Sequence, residues 1–301
     1  MPEYPEIALY LHALDERVVG RRLERVRIAS PSLLRSVDPG PAALAGRVLH
    51  GVERIGKRIV FAFDDDLFIV LHLMIAGRLQ WKPPGAAIPR RLGHAAFDFE
   101  NGTLLLTEAG TRKKAQLHVV RGRAALEAFD RGGVDPLAVD HETFAVALRR
   151  ENHTLKRALT DPRILSGIGN AHSDEILLAA RLSPAQLTRG LDDAAVARLH
   201  GAIRTSLSEW AARLIAESGD DFPARVTAFH PAMAAHGRYN QPCPQCGTPI
   251  QRIVYAGNET NYCPHCQTGD RLLADRAFSR LLREDWPRSL EELEQHFDDR
   301  R

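Results

Sequence analysis

Four cysteines constrain this chain more than any other feature. They are the only cysteines in 301 residues, and all fall between positions 243 and 266. They form two C-x-x-C pairs, Cys243-Pro-Gln-Cys246 and Cys263-Pro-His-Cys266, with sixteen residues between them. Each such turn places two thiolates on one side of a metal, and zinc prefers four ligands in a tetrahedron. The intervening GTPIQRIVYAGNETNY reads as a two-stranded ribbon with a turn near Gly257-Asn258. Four thiolates complete the shell, so one bound Zn2+ is structural and not catalytic. Four buried or redox-active thiols are the competing reading. Two pairs flanking a hairpin in a reducing compartment disfavour it. Zinc ribbons serve nucleic-acid binding and protein contacts alike, so the cysteines by themselves name no activity.

The rest of the chain builds its own core. It is 44% hydrophobic and 26% charged, and long enough for two or more domains. No apolar run reaches ~18 residues, so no helical membrane span is expected. Glu3 and Glu6 precede the first apolar run, which does not suit a signal peptide. A cytoplasmic protein is the default expectation. The net charge of +2, from 40 Lys+Arg against 38 Asp+Glu, neither demands nor excludes nucleic acid.

Residues 1–18 predict a helix, with Ile7, Leu9, Leu11, Leu14 and Val18 at roughly helical spacing and Pro2 and Pro5 where a first turn tolerates them. From 20 to about 122 the pattern shifts to short apolar and alternating runs. Residues 58–63, 67–73, 94–99 and 103–107 read as strands, with turn signals at Asp64-Asp65-Asp66 and Asn101-Gly102. Such spacing suggests a β-sandwich or barrel-like domain. After a break at 132–137, amphipathic helices are expected at 141–150, 154–159, 171–182 and 191–218, with Asp192 and Ser183-Pro184 as start signals. The tail, 268–301, reads as one or two short helices.

Several segments carry chemistry. Removal of the initiator Met, which proline normally permits, leaves a secondary amine on Pro2. Part of such an amine is neutral at neutral pH. Its attack on an aldehyde gives an iminium ion, an electron sink for elimination. Glu3 and Glu6 lie beside it as proton carriers. Taken alone, the same residues equally suit a plain helix start. Ser166-Gly167-Ile168-Gly169-Asn170 joins two helices; its amides make an anion site, and Asn170 either caps the next helix or donates to a phosphate. Lys57 follows Gly56 at a strand start, and Arg112-Lys113-Lys114 follows a turn. In isolation each is also a solvated basic turn.

Together these segments resemble one family, the formamidopyrimidine-DNA glycosylase and endonuclease VIII family of base-excision repair enzymes. The matching positions run in order from Pro2-Glu3-x-Pro5-Glu6 to Cys266. The resemblance implies an α+β fold. An N-terminal β-sandwich lobe with an N-terminal helix (1–133) precedes a helical helix-two-turn-helix lobe (134–226), a zinc-finger hairpin (227–267) and a helical extension (268–301). It also implies a monomer that holds damaged DNA between its lobes. By position, Pro2 then resembles the Schiff-base nucleophile and Glu3 the acid/base, with Lys57 as a phosphate-binding lysine beside them. Glu6 matches a second acidic residue, Lys156 a lysine near the damaged-base pocket, and Asn170 a phosphate grip. Met74, in His72-Leu73-Met74-Ile75-Ala76-Gly77, matches the wedge that fills the gap left by an extruded base. Arg112 and Lys113 stand near where the family carries two further gap-filling residues, an Arg and a Phe after an Asp-Pro, which are absent here. Asn258 replaces a family arginine five residues before the third cysteine, and Asn261 a nearby aromatic. The implied function is a bifunctional DNA glycosylase and abasic-site lyase. A catalytically weakened relative that binds damaged or single-stranded DNA is the alternative.

Overall fold

The computed structural model describes the chain except for residues 111, 224–225, 256–257, 275–286, 293–294 and 296–301. Contacts divide it into two compact units, one of Met1–Arg131 with Ser208–Ala228 and one of Gly132–Leu207 with Phe229–Arg301.

The first unit opens with helix α1 (Tyr4–Val18), which buries Ile7, Tyr10, Leu14 and Val18 along one stripe. Eight antiparallel strands follow: β1 (Arg22–Ile28), β2 (Arg47–Ile55), β3 (Arg58–Phe63), β4 (Leu67–His72), β5 (Gly77–Lys82), β6 (Gly93–Phe99), β7 (Gly102–Glu108) and β8 (Gln116–Arg121). Their order is β5-β7-β6-β1-β2-β3-β4-β8. Strands β1 and β2 share only the pairs Arg22–Val48 and Leu23–Arg47, so the sheet folds there into two four-stranded halves. Alternate residues of both halves enter one core: Ile59, Phe61, Ile69, Leu71 and Val119 from one, Phe97, Phe99, Leu104 and Leu106 from the other. Phe61 and Phe97 stack across it at 6.3 Å. This is the expected β-sandwich. The four expected strands are β3, β4, β6 and β7. Strands β1, β2, β5 and β8 carry more polar residues and stand out less in the sequence; β1, RLERVRI, buries only Leu23.

In the second unit, helices α2 (His141–Arg149), α3 (Leu155–Thr160) and α4 (Asn170–Ala180) lead into the long helix α5 (Asp193–Ser218). Asp140 caps α2 through Thr143 N–H at 2.8 Å, and Asp192 accepts from Ala195 N–H at 2.7 Å where α5 begins. Ser183-Pro184 opens a turn and no helix, because Ser183 Oγ and its carbonyl close on Ala185 and Gln186 N–H instead. The C-terminal hairpin pairs β9 (Gln251–Tyr255) with β10 (Asn258–Tyr262), followed by the short helix α6 (Pro264–Thr268). Leu178 of α4 packs on Cys243, Ile250 and Cys263 of this hairpin.

The linear reading places 208–226 with the helices. The contacts group 208–228 with the sandwich, because Leu214, Ile215, Phe222 and Val226 pack onto its core. Part of the expected ribbon turn, Gly257, and most of the expected tail helices lie outside the described residues. Among those described, no helix is long and apolar enough to cross a membrane.

Candidate active site and nucleic-acid interface

Each unit assembles its own set of candidate residues. In the first, Glu3 is the N-cap of α1 and forms a capping box with Glu6. The Glu6 carboxylate accepts the Glu3 N–H at 2.7 Å. Their exposures are only 3% and 2%, and two buried carboxylates need a cation nearby. Lys57 supplies it. Gly56 and Lys57 form a two-residue turn closed by the Ile55–Arg58 pair, and Gly56 takes φ 61°, which glycine accepts without strain. Burial lowers the Lys57 pKa, while Glu3 and Glu6 pull it back up. The α-amine of Met1, one residue ahead of Pro2, faces the same groups. Burial lowers its pKa, Glu3 raises it, and Arg78, Glu6 and Lys57 act more weakly. Pro2 is buried beside it. The structure therefore brings Pro2, Glu3, Glu6 and Lys57 into one cluster. An amine with a lowered pKa, two carboxylates and a lysine can form an imine and move protons.

His72 pairs with Arg58 across β3 and β4. Burial first, then Arg58 and Lys57, push its pKa down from 6.5 to about 4. The folded value lies below the unfolded one, so the unfolded chain binds more protons between them. The stability from the neutral ring is complete above pH 6.5 and is lost as pH falls toward 4. Melting temperature is expected to fall over that window more steeply for the native protein than for His72→Gln. Parallel pH profiles would count against this account.

The turn between β4 and β5 carries the expected wedge. Gly77 N–H bonds the Leu73 carbonyl at 2.9 Å, and a Cβ on Gly77 would lie 2.2 Å from that oxygen, so only glycine closes the turn. Met74 takes φ 54°, a conformation costly for a non-glycine residue. Its side chain is half-buried, whereas the neighbouring Ile75 is 60% exposed. Ile75 is thus the apolar tip of the turn. An apolar residue between two strands and before a glycine was the available sequence signal.

The basic segment after β7 divides. Arg112 is exposed, while Lys113 Nζ donates to the Gly93 carbonyl at 3.3 Å. The segment is anchored by Glu108, whose carboxylate accepts Lys114 N–H at 2.9 Å and Ala115 N–H at 3.1 Å and meets His94 Nε2 at 2.9 Å.

In the second unit, Gly169 and not Asn170 is the N-cap of α4. Asn170 is the first helical residue, and its Nδ2 donates to the Glu259 carbonyl of β10 at 2.9 Å. The capping alternative therefore gives way to a contact with the hairpin, which sequence spacing could not foresee across 89 residues. Lys156 lies close by. Its Nζ is 2.5 Å from Asp174 Oδ1 and donates to the Asn170 carbonyl at 2.7 Å.

Cys243, Cys246, Cys263 and Cys266 place their sulfurs within 4.8 Å of one another. Cys246 Sγ lies 3.4 Å from Cys263 Sγ and 3.5 Å from Cys266 Sγ, too far for a disulfide and close to the edge of a zinc–thiolate tetrahedron. Burial pushes Cys263 up and Cys266 up to about 11, whereas at Cys246 burial is outweighed by hydrogen bonds from Thr248, Cys263 and Cys266, which pull it down to about 6. A cluster in which one thiolate forms readily and its neighbours resist further charge is relieved by a divalent cation. The four residues fit one structural zinc, which would tie the two ends of the hairpin together.

The first unit sets an N-terminal amine among acids on a β-sandwich, and the second carries helices and a four-cysteine hairpin. Three family models match in sequence: the formamidopyrimidine-DNA glycosylase N-terminal domain over residues 1–117, its H2TH domain over 133–215, and a zinc finger found in FPG and IleRS over 240–269. The chain belongs to the formamidopyrimidine-DNA glycosylase family. It is 33% identical over 279 residues to the formamidopyrimidine-DNA glycosylase of Symbiobacterium thermophilum, covering 89% of each chain. To that of Heliobacterium modesticaldum it is 34% identical, over 89% of this chain and all of the relative. Among solved structures, it resembles a Lactococcus lactis FPG mutant in complex with Fapy-dG-containing DNA, with a TM-score of 0.77 and 24% identity over 89% of this chain and 100% of that one. It also resembles wild-type Lactococcus lactis FPG in complex with DNA containing an oxidised pyrimidine, with a TM-score of 0.78 and 25% identity over the same shares.

Proposed function

We propose that this chain is a bifunctional DNA glycosylase and abasic-site lyase that excises oxidatively damaged bases. The observation that carries the reading is the buried Glu3–Glu6 capping box, which faces Lys57 and the chain's own amine. A target base inside a duplex is out of reach and must first be turned out of the stack. Pro2, freed of Met1, attacks C1′ and the base leaves, with Glu3 passing a proton as the sugar ring opens. The resulting iminium is already cationic, so loss of a C2′ proton and elimination of the phosphate follow without further activation. Glu6 is buried against Glu3 N–H, which suits it to holding Glu3 in place. Lys57 and Asn170 contact phosphates and position the strand without reading its sequence. DNA damaged by oxidation is the partner, and the protein acts as a monomer. The decisive experiment is borohydride trapping on DNA containing an abasic site, since only an imine-forming enzyme becomes covalently attached.

The weakened-binder alternative draws on Asn258, which stands where the resemblance expects an arginine. The intact acid–amine cluster favours the enzyme.

The gap left by the extruded base is filled from the β4–β5 turn. An unstacked step costs a few kcal/mol, so the apolar tip matters. Ile75→Ala is expected to slow excision from a duplex about tenfold and to spare cleavage of a single-stranded abasic site. Met74→Ala is expected to change stability more than excision. The reverse order would return the wedge to Met74. Arg112, Lys113 and Lys114 include no aromatic ring to stack on the opposite base, and Lys113 is turned to the Gly93 carbonyl. Discrimination among the four opposite bases is therefore weak, and single strands are relatively good substrates. Excision of one lesion opposite each base, and in a single strand, tests this.

A further inference from the structure

Asp174 is completely buried in α4, and its carboxylate meets three side chains from three other segments. Oδ1 lies 2.5 Å from Lys156 Nζ of α3. Oδ2 lies 2.7 Å from His236 Nδ1, in the segment leading to the first cysteine pair, and 3.3 Å from Asn261 Nδ2 of β10, just before the second pair. The adjacent Glu175 accepts the backbone N–H groups of Ala234, Ala235 and His236, each at 2.8 Å. Asn170, one turn earlier on the same helix, holds the Glu259 carbonyl of β10. Both approaches to the four cysteines are thus moored to one face of α4.

We propose that Asp174 is the positioning residue that locks α3, α4 and the zinc hairpin into one DNA-binding body, and that Lys156 serves this lock and not a phosphate or base. The proposal rests on the glycosylase reading for its DNA. A buried carboxylate is tolerated only when paired, and Lys156 is the cation that pairs it. Two of the three donors on Lys156 Nζ are engaged inside the protein, on Asp174 and on the Asn170 carbonyl. A phosphate would find only the third donor, on a side chain 14% exposed, and would share the amine's charge with Asp174. The Lys156–Asp174 pair is neutral overall, so it releases no counterion from DNA. Asn261 fits the same account. It is 1% exposed, and its Oδ1 has no partner among the described residues, so its donor side alone holds it in place, on Asp174.

The test compares full-length Lys156→Gln, Asp174→Asn and the double variant, which keeps a hydrogen-bonded pair without either charge. Affinity for a duplex carrying a reduced abasic-site analogue is measured across a salt series, with zinc content and thermal melting recorded without DNA. Each single variant is expected to melt lower and bind at least tenfold more weakly. The double variant is expected to retain zinc, to recover most of both losses, and to keep the native slope of log affinity against log salt. A slope reduced by about one in the double variant would make Lys156 a phosphate contact and overturn the proposal. Additive losses in melting would overturn the lock itself. Because melting is read without DNA, it decides the lock even if trapping defeats the glycosylase reading. The double variant carries no unpaired charge, so it remains informative if a single variant does not fold.

Discussion

A protein whose N-terminus carries an extension that cannot be removed is expected to lose borohydride trapping on abasic-site DNA entirely. Pro2→Gly should reduce it at least a hundredfold, since a primary amine gives an imine that must be protonated before it becomes an electron sink. The environment explains the size of the effect. The Met1 amine, one residue ahead of Pro2, is sunk among Glu3, Glu6, Lys57 and Arg78, and removal of Met1 leaves the Pro2 nitrogen beside the same groups. No group but the terminal nitrogen of Pro2 offers a secondary amine there. Glu3→Gln should separate the two steps. Base excision needs a proton delivered as the sugar opens, and loss of a general acid costs roughly 10²–10⁴-fold. A pre-formed abasic site has no base to remove, so its cleavage should largely survive. Lys57 loses one of its two buried counter-charges in this variant, so strand binding should weaken little. Full trapping by a protein with a blocked N-terminus would sink the Pro2 assignment.

The second large effect concerns the metal. Native protein purified without chelator is expected to contain about one zinc per chain, and Cys263→Ser essentially none. Cys263 is completely buried and packs with Cys243, Ile250, Ala235 and Leu178. Removing it both opens the coordination shell and loosens the hairpin from α4. Zinc binding in such hairpins is folding free energy, on the order of 10 kcal/mol, so the ribbon should unravel when the metal leaves. DNA affinity should then fall at least a hundredfold, because β10 also holds the Asn170 amide through the Glu259 carbonyl. Chelation of the native protein should do the same, and restored zinc should reverse it. A zinc-free protein with native affinity would show that the hairpin is dispensable.

The departures at Asn258 and Asn261 separate on the fold. Asn258 is exposed at the start of β10, whereas Asn261 is buried and bonded to Asp174. Asn261 thus has a structural partner that the sequence does not display. Arg252, opposite Asn261 in the ribbon, lies 4.3 Å over the Tyr239 ring and 3.3 Å from Glu259 Oε2. It is the cation nearest in the ribbon to the position that lacks arginine.

Local signals determined much of this protein. The two cysteine pairs demanded a tetrahedral site, and spacing alone brought the thiols near, because each C-x-x-C turn is self-contained. Residues Pro2 to Glu6 lie within one helical turn, so a capping box could form without help from the rest of the chain. Helices α1 to α5, and strands β3, β4, β6 and β7, were legible from their apolar periods. The remaining strands were not, because strands with one polar face need partners before they differ from loops. What only the tertiary structure decided are the long-range pairings. Lys57 meets Glu3 and Glu6 across more than fifty positions, Asp174 gathers Lys156, His236 and Asn261, and Asn170 turns from a cap into a contact with the hairpin. Residues 208–228 join the sandwich because Leu214, Ile215, Phe222 and Val226 complete its core. A buried charge selects its partner by desolvation, and an apolar face selects the core that covers it. Neither choice is written in the residues nearby, since both depend on which surfaces the whole fold removes from water.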